Sequence, residues 1–222
     1  MSKRARPRTG IGMTSQRTRD RLITRLRDMG IEDERVLTAI RTVPRHLFVE
    51  EALASRAYED RALPIGYGQT ISQPYIVALM TQALLAGRKP AAVLEVGSGS
   101  GYQTAVLAAL VDKIYSVERI EPLLQAARRR LIRLGYRNVH CKLADGSWGW
   151  REHAPYDGIM VTAAAVEVPH PLIEQLALDG HMVVPVGEGD AQELLLITRT
   201  KNGVSKTRLE HVSFVPLVKG QG

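Results

Sequence analysis

The sequence predicts a doubly wound α/β domain with a helical N-terminal cap and a C-terminal antiparallel hairpin. Three observations predict it. From residue 91 onward, short apolar runs alternate with segments of helical period, the signature of βα units on a mostly parallel sheet covered by helices on both faces. The first of those runs, Ala92–Val96, leads into the turn Gly97-Ser98-Gly99-Ser100-Gly101. Before residue 90 the apolar side chains recur at helical spacing instead.

Taken in order, residues 1–14 have no apolar period and are expected to form a basic, disordered extension. Residues 15–222 read as one domain, with a cap and loop over 15–90 and a Rossmann-like core over 91–222. Leu22, Ile23, Leu26 and Met29 place a helix over 15–29, stopped by Gly30. A second helix spans 33–40 and closes before Val43-Pro44, and a third is expected over 47–57. Residues 63–71 are rich in turn formers, so they read as an ordered surface loop leading to a helix start near Ser72. In the core, strands are expected at 92–96, 113–117, 139–143, 156–162 and 181–186, and helices at 102–110, 121–134 and 171–178. The segments 193–199 and 212–218 end the chain as strands, read as a hairpin turning at Lys201-Asn202-Gly203.

Composition sets the outer bounds. With 45% apolar and 24% charged residues, the 222-residue chain is neither collagen-like nor wholly disordered. The longest uncharged stretch, 62–87, holds two prolines and several polar residues, so it is no membrane span. No apolar run follows the basic N-terminus, so a secretory signal is not expected. The single Cys141 excludes an intramolecular disulfide and any multi-cysteine metal site, and the expected compartment is the cytoplasm. Residues 1–28 hold nine basic and two acidic side chains, which is the whole formal charge of +7. A nucleic-acid arm and a solvated extension both fit that cluster, but no aromatic residues are interleaved for base stacking, and nucleic acid is not expected as a partner.

The glycine turn carries the most information. Glycines after a strand let backbone approach a ligand, and the next helix begins with unpaired N–H groups. A dinucleotide fingerprint needs its third glycine at 102, which is Tyr102, and no Gly-Lys-Ser/Thr follows for a P-loop. The turn suits a ligand without a pyrophosphate, such as S-adenosylmethionine, its amino-acid end lying against the loop. Glu118, just past the second core strand, is placed to accept the ribose hydroxyls, and Asp145, just past the third, the adenine amino group. Each carboxylate alone also reads as a helix or turn cap. Trp148 and Trp150 are candidate walls for the adenine, and Trp150 is equally a packing residue.

On the acceptor side, Thr162-Ala163-Ala164-Ala165 after the fourth strand offers no carboxylate or amide to hold an amino nitrogen. Cys141 lies within a strand and reads as a core side chain rather than a thiolate. The acceptor is therefore expected to be nucleophilic already at neutral pH, as a carboxylate is. Ser72, before Gln73-Pro74-Tyr75, reads as the N-cap of a helix. The six histidines are dispersed and show no metal-ligand spacing, so no metal is expected. Arg128-Arg129-Arg130 reads as a solvated helix face.

The segments Gln69-Thr70-Ile71-Ser72-Gln73-Pro74-Tyr75, Val93 to Tyr102 and Phe214-Val215-Pro216-Leu217-Val218 resemble the protein-L-isoaspartate O-methyltransferase family, as do Val43-Pro44-Arg45-His46, Pro155-Tyr156-Asp157 and Val161 to Ala164. The resemblance runs from about residue 14 to the C-terminus. It implies transfer of a methyl group from S-adenosylmethionine, leaving S-adenosylhomocysteine, to the free α-carboxylate of L-isoaspartyl residues in damaged proteins and peptides. The ester recloses to a succinimide, which partly hydrolyses to aspartate. Ser72 is the active-site residue implied, with Gln69, Thr70 and Ile71 beside it on the substrate. The cofactor contacts implied are Pro74, Tyr75, Ile76, Val77, Glu95, Gly97, Ser98, Gly99, Gly101, Glu118, Arg119, Asp145, Gly146 and Val218. Where many members have His after the Pro, this chain has Tyr75. Ser72 is expected to orient the substrate at a helix N-terminus whose dipole attracts its carboxylate, not to act as a nucleophile. A monomer without membrane attachment is expected. An RNA methyltransferase using the basic arm, a nicotinamide oxidoreductase and a non-catalytic adapter on the same fold are the other readings.

Overall fold

The computed structural model describes residues 12–189, 191–218 and 220. The expected extension over 1–14 falls largely outside them, and Gly12–Thr14 form a 3-10 turn. Two helices build the cap, α1 (Gln16–Asp28) and α2 (Glu34–Thr42). Gly30 ends α1 with φ +93°, letting Ile31 N–H reach back to Leu26 O at 3.0 Å. Asp33 caps α2 by accepting from Arg35 N–H at 2.9 Å. The third expected helix is instead two 3-10 segments, Arg45–Leu47 and Glu51–Arg56.

Residues 63–71 are not a loop. They form the hairpin β1 (Leu63–Gly66) and β2 (Gln69–Ile71), turning through Gly66, Tyr67 and Gly68, all at positive φ. Helix α3 (Pro74–Leu85) follows. Ser72 is not its cap. The helix starts one residue later than expected, after Gln73, and Asp60 supplies the capping carboxylate from 15 residues upstream, accepting from Tyr75 N–H at 2.9 Å. Proline at the first helical position has no N–H to offer, so the first donor needing a partner is that of Tyr75.

The core elements are β3 (Ala92–Val96), α4 (Tyr102–Ala108), β4 (Lys113–Glu118), α5 (Glu121–Leu134), β5 (Val139–Leu143), β6 (Tyr156–Val161), α6 (His170–Gln175), β7 (Leu176–Val186), β8 (Gln192–Thr200) and β9 (Gly203–Val212). The sheet runs β5-β4-β3-β6-β7-β8-β9, parallel through β7 and antiparallel beyond it. The chain moves outward from β3 to β5 on one side, then returns to β6 on the other side of β3. Open sheets bind ligands at such a reversal, outside the carboxyl ends of the strands.

Two differences from the expected elements have local causes. The helix expected over 171–178 stops at Gln175, and β7 begins at Leu176, with irregular pairing to β6 where Asp179 takes a positive φ. The hairpin partner of β8 is β9 over 203–212, not 212–218, and the turn itself is Lys201-Asn202, since Thr200 pairs with Gly203. Edge strand β9 carries Lys206, Arg208 and Glu210, charges that suit an edge and hide its strand pattern.

Side chains alternate across the sheet. Val93, Met160 and Val183 pack with the cap, α3 and α4, whereas Leu94, Ile159, Val161 and Met182 pack on the other face with Leu172 of α6. The cap is tied to α4 by Arg45, which is fully buried, with its guanidinium 4.8 Å from the Tyr102 ring centroid and Nε donating to Ala57 O at 2.7 Å. Burial pulls Arg45 down to about 10, against the opposing pull of Tyr102, Tyr58 and Asp60. Phe48 meets Tyr102 edge-on at 5.5 Å, so the cap fixes the first residue of α4 and thereby the glycine turn before it.

Candidate active site

A cleft opens at the strand reversal. Its floor is the end of β3 with Gly97–Ser100, flanked by Glu118 at the end of β4 and Arg119 after it, Gly146 after β5, and Thr162 and Ala163 after β6. Gln69, Thr70, Ile71, Ser72 and Val77 line one wall, and Val215–Val218 another. A second cavity adjoins it, lined by Ala62, Gln73, Ile76 and residues 211–214. Thr70, Ser72, Thr162 and Val215 line both.

The glycine turn is needed where the sequence puts it. Gly97 sits at φ +93°, and a Cβ there would lie 2.4 Å from Thr162 Oγ1. A Cβ on Gly146 would lie 2.3 Å from Val96 Cγ1. Gly101, at φ +84°, abuts Ala127 and precedes α4 rather than lining the cleft. Free N–H groups are expected at the start of the next helix, where Tyr102 N–H donates to Ser100 Oγ at 3.3 Å, and on the turn itself the three glycine amides are engaged. Gly97 N–H donates to Val117 O, Gly101 N–H to Ser98 O, and Gly99 N–H to the Glu118 carboxylate at 2.9 Å. The turn therefore offers close backbone approach more than donors. That fits a ligand without phosphate.

Glu118 is buried and accepts three backbone donors, from Gly99, Arg119 and Ile120. It anchors the turn and leaves about one of its four acceptor positions for a ligand hydroxyl. Ser98 Oγ is buried in the cleft lining without a hydrogen-bond partner among the described residues. Thr162 Oγ1 lies 2.7 Å from Gly97 O and locks β6 to the turn.

The expected site residues divide into two groups. Gln69, Thr70, Ile71, Ser72, Val77, Gly97, Ser98, Gly99, Glu118, Arg119, Gly146 and Val218 line the cleft, whereas Pro74, Tyr75, Ile76, Glu95, Gly101 and Asp145 do not. Pro74 and Tyr75 begin α3, and Ile76 lines the second cavity. Glu95 shares the face of Val93, so it points to α4, and the hydroxyls of Thr104 on α4 and Ser116 on the neighbouring β4 donate to it at 2.6 and 2.5 Å. Burial pushes its carboxyl up to about 7. Asp145 caps the 3-10 turn Gly146–Trp148 through Ser147 and accepts from Gly220 N–H at 2.6 Å. Trp148 is 63% exposed, and Trp150 packs against Tyr115 and His153, so neither walls the cleft. Cys141 is half-buried on β5, its thiol pushed up to about 11 by burial.

Sequence reasoning missed three contributors. Gln103, in the first turn of α4, lines the cleft, and its place just after the glycine turn was the available signal. Asp60 caps α3 from a distant segment, which no local pattern shows. Arg130 does not belong to a wholly solvated face: it is half-buried, donates to Ser100 O at 2.6 Å and lies over Phe48. Among the described residues no group of three His, Cys, Asp or Glu side chains is placed to hold a metal.

Comparison with known proteins follows the same geometry. Residues 17–222 match the family model for protein-L-isoaspartate(D-aspartate) O-methyltransferase. A protein-L-isoaspartate O-methyltransferase of Alcanivorax borkumensis is 56% identical over 96% of both chains, and one of Pseudomonas paraeruginosa is 58% identical over 94% of this chain and 99% of its own. A Plasmodium falciparum structure described as a protein-L-isoaspartate O-methyltransferase in complex with S-adenosyl-L-homocysteine superposes with a TM-score of 0.79 at 30% identity, covering 91% of this chain and 99% of that one.

Proposed function

Because this chain belongs to the protein-L-isoaspartate(D-aspartate) O-methyltransferase family and catalyses methyl transfer from S-adenosylmethionine to L-isoaspartyl residues, we propose that the cleft at the strand reversal holds the methyl donor and that Ser72 orients the acceptor carboxylate. The observation that carries this reading is that Ser72 lies in the wall shared by two adjoining cavities. Its hydroxyl has no hydrogen-bond partner among the described residues, because Asp60 and not Ser72 caps α3.

The cleft fits the cofactor on three counts. Gly97 and Gly146 bring bare backbone to the cleft at points where a Cβ would collide with Thr162 and Val96, Ser98 Oγ is a buried group awaiting a partner, and Glu118 retains an acceptor position. Gly97, Ser98, Gly99, Glu118 and Gly146 would hold it. When bound, S-adenosylmethionine supplies an electrophilic methyl group on a sulfonium centre.

The chain's own part is positioning. The shared wall of Thr70, Ser72, Thr162 and Val215 contains no titratable side chain. That matches an acceptor which is ionised at neutral pH and needs no general base. Ser72 donates one hydrogen bond to the substrate carboxylate and fixes which oxygen faces the cofactor side. The start of α3 does not assist as the sequence alone suggested, since the Asp60 carboxylate already occupies it. Holding reactants in line gives effective molarities of about 10⁵ M or more, so orientation suffices as the catalytic device.

The same proposal has the chain act as a cytoplasmic monomer on isoaspartyl proteins and peptides. Its single cysteine supports the compartment. The decisive experiment offers two peptides differing only in Asp versus isoAsp, with labelled methyl donor. Label is expected only in the isoAsp peptide, released as methanol on standing. Labelling of both peptides would overturn the reading.

A further inference from the structure

Gln103 has a defined orientation and an unused acceptor. The side chain is buried, 8% exposed, and lines the cleft from the first turn of α4. The Thr81 hydroxyl on α3 donates to Val77 O at 2.7 Å. A hydroxyl has one proton. Toward Gln103, 3.0 Å away, Thr81 Oγ1 can therefore only accept. The Gln103 atom facing Thr81 must be the amide nitrogen, which leaves carbonyl Oε1 on the other limb of the planar amide. Among the described residues Oε1 has no hydrogen-bond partner, and it is not among the buried side-chain atoms sealed from solvent.

An acceptor held in a mostly buried wall loses free energy unless a donor meets it. Glu118 ends β4 and Gly146 follows β5, and on the functional reading above these two lining residues face the nucleoside. Gln103 lines the cleft from the first turn of α4, directly after the glycine turn, and is braced against α3 through Thr81. We propose that Gln103 Oε1 accepts a hydrogen bond from the α-ammonium of the cofactor's amino-acid end, and that the chain Val77–Thr81–Gln103 aims it there. The proposal rests on the functional reading above, in which that end lies against the turn. A neutral carbonyl serves because the ammonium is already balanced by its own carboxylate within the ligand.

The test is calorimetric and needs no turnover. S-adenosylhomocysteine and its deamino analogue, in which hydrogen replaces the α-ammonium, are titrated into the wild-type chain, Gln103→Leu and Thr81→Val. Wild type is expected to bind the analogue at least tenfold more weakly than the parent. Gln103→Leu is expected to lose about tenfold for the parent and nothing for the analogue. Thr81→Val, which frees the amide to turn, is expected to lose about threefold for the parent alone, and it keeps the test available should Gln103→Leu fail to fold. Equal losses for both ligands, or no loss in either variant, overturn the proposal. A wild type that binds both ligands equally overturns only this inference. A wild type that binds neither overturns the functional reading as well.

Discussion

The two walls of the cleft are built on different principles. The floor is made by backbone: Gly97 and Gly146 lie where a Cβ would meet neighbours at 2.4 and 2.3 Å, and the turn's amides are tied to Val117, Ser98 and Glu118. The acceptor wall is made by side-chain ends, the hydroxyls of Thr70, Ser72 and Thr162, on a short hairpin and two strand exits. A backbone-built surface has no spare volume, so it tolerates no added atom. A wall of hydroxyls can lose one at the cost of one hydrogen bond. The floor therefore governs whether a nucleoside binds, and the wall governs which acceptor meets it.

The strongest way to break this contrast is Gly97→Ala. Positive φ and the clash with Thr162 together cost about 4 kcal/mol, roughly a thousandfold loss of S-adenosylhomocysteine affinity by calorimetry. Adding Thr162→Ala removes the clash but not the strain, so part of the affinity should return. Full recovery would show that backbone conformation matters less than claimed.

Beneath the floor, Glu95 gives a pH signature that the wall lacks. Its carboxyl is raised from 4.5 to about 7, chiefly by burial. The folded state therefore holds its proton more tightly than the unfolded state does. The stabilisation this gives is fully present below pH 4.5, declines as pH rises, and is gone above about 7. The Glu95 contribution is on the order of 3 kcal/mol, and Glu95→Gln should flatten this part of the pH–stability curve measured by denaturant unfolding. An unchanged slope in that variant would mean that Glu95 is ionised in the folded protein.

Glu118→Gln comes next. It keeps the shape but replaces a charge-assisted acceptor of three amides, so about 2 kcal/mol and roughly thirtyfold in cofactor affinity are expected to go. Ser72→Ala should leave that affinity alone and raise the KM for an isoAsp peptide about tenfold, near 1.4 kcal/mol. Loss of cofactor binding in Ser72→Ala would erase the distinction between floor and wall. The smallest effect is expected from Arg130→Met, which keeps the contact with Phe48 but frees Ser100 O, weakening cofactor binding about fivefold, or about 1 kcal/mol.

Much of the floor was legible in the sequence. The run Ala92–Val96, the helix Glu121–Leu134 and the strand Val139–Leu143 form with the expected boundaries, since apolar period and glycine stops act locally. The wall was less legible. The hairpin over 63–71 has no alternating pattern, because Gly66, Tyr67 and Gly68 bend it tightly and Thr70 stays exposed. Strand β9 was hidden by edge charges. Glu95 was a cofactor contact implied by the family resemblance, yet strand alternation sends it to α4.

By itself the sequence determined the alternation of strands and helices from β3 to β7, the conformations open only to glycine, and a likeness to one family in the motifs flanking the cleft. These are properties of neighbours along the chain, set by local sterics and period. Only the tertiary structure decided that Asp60 relieves Ser72 of capping, that Arg130 reaches the turn across 30 residues, and that Thr81 fixes the face Gln103 shows the cleft. A hydrogen bond between distant segments depends on where the sheet and cap bring them, and no local pattern encodes that distance.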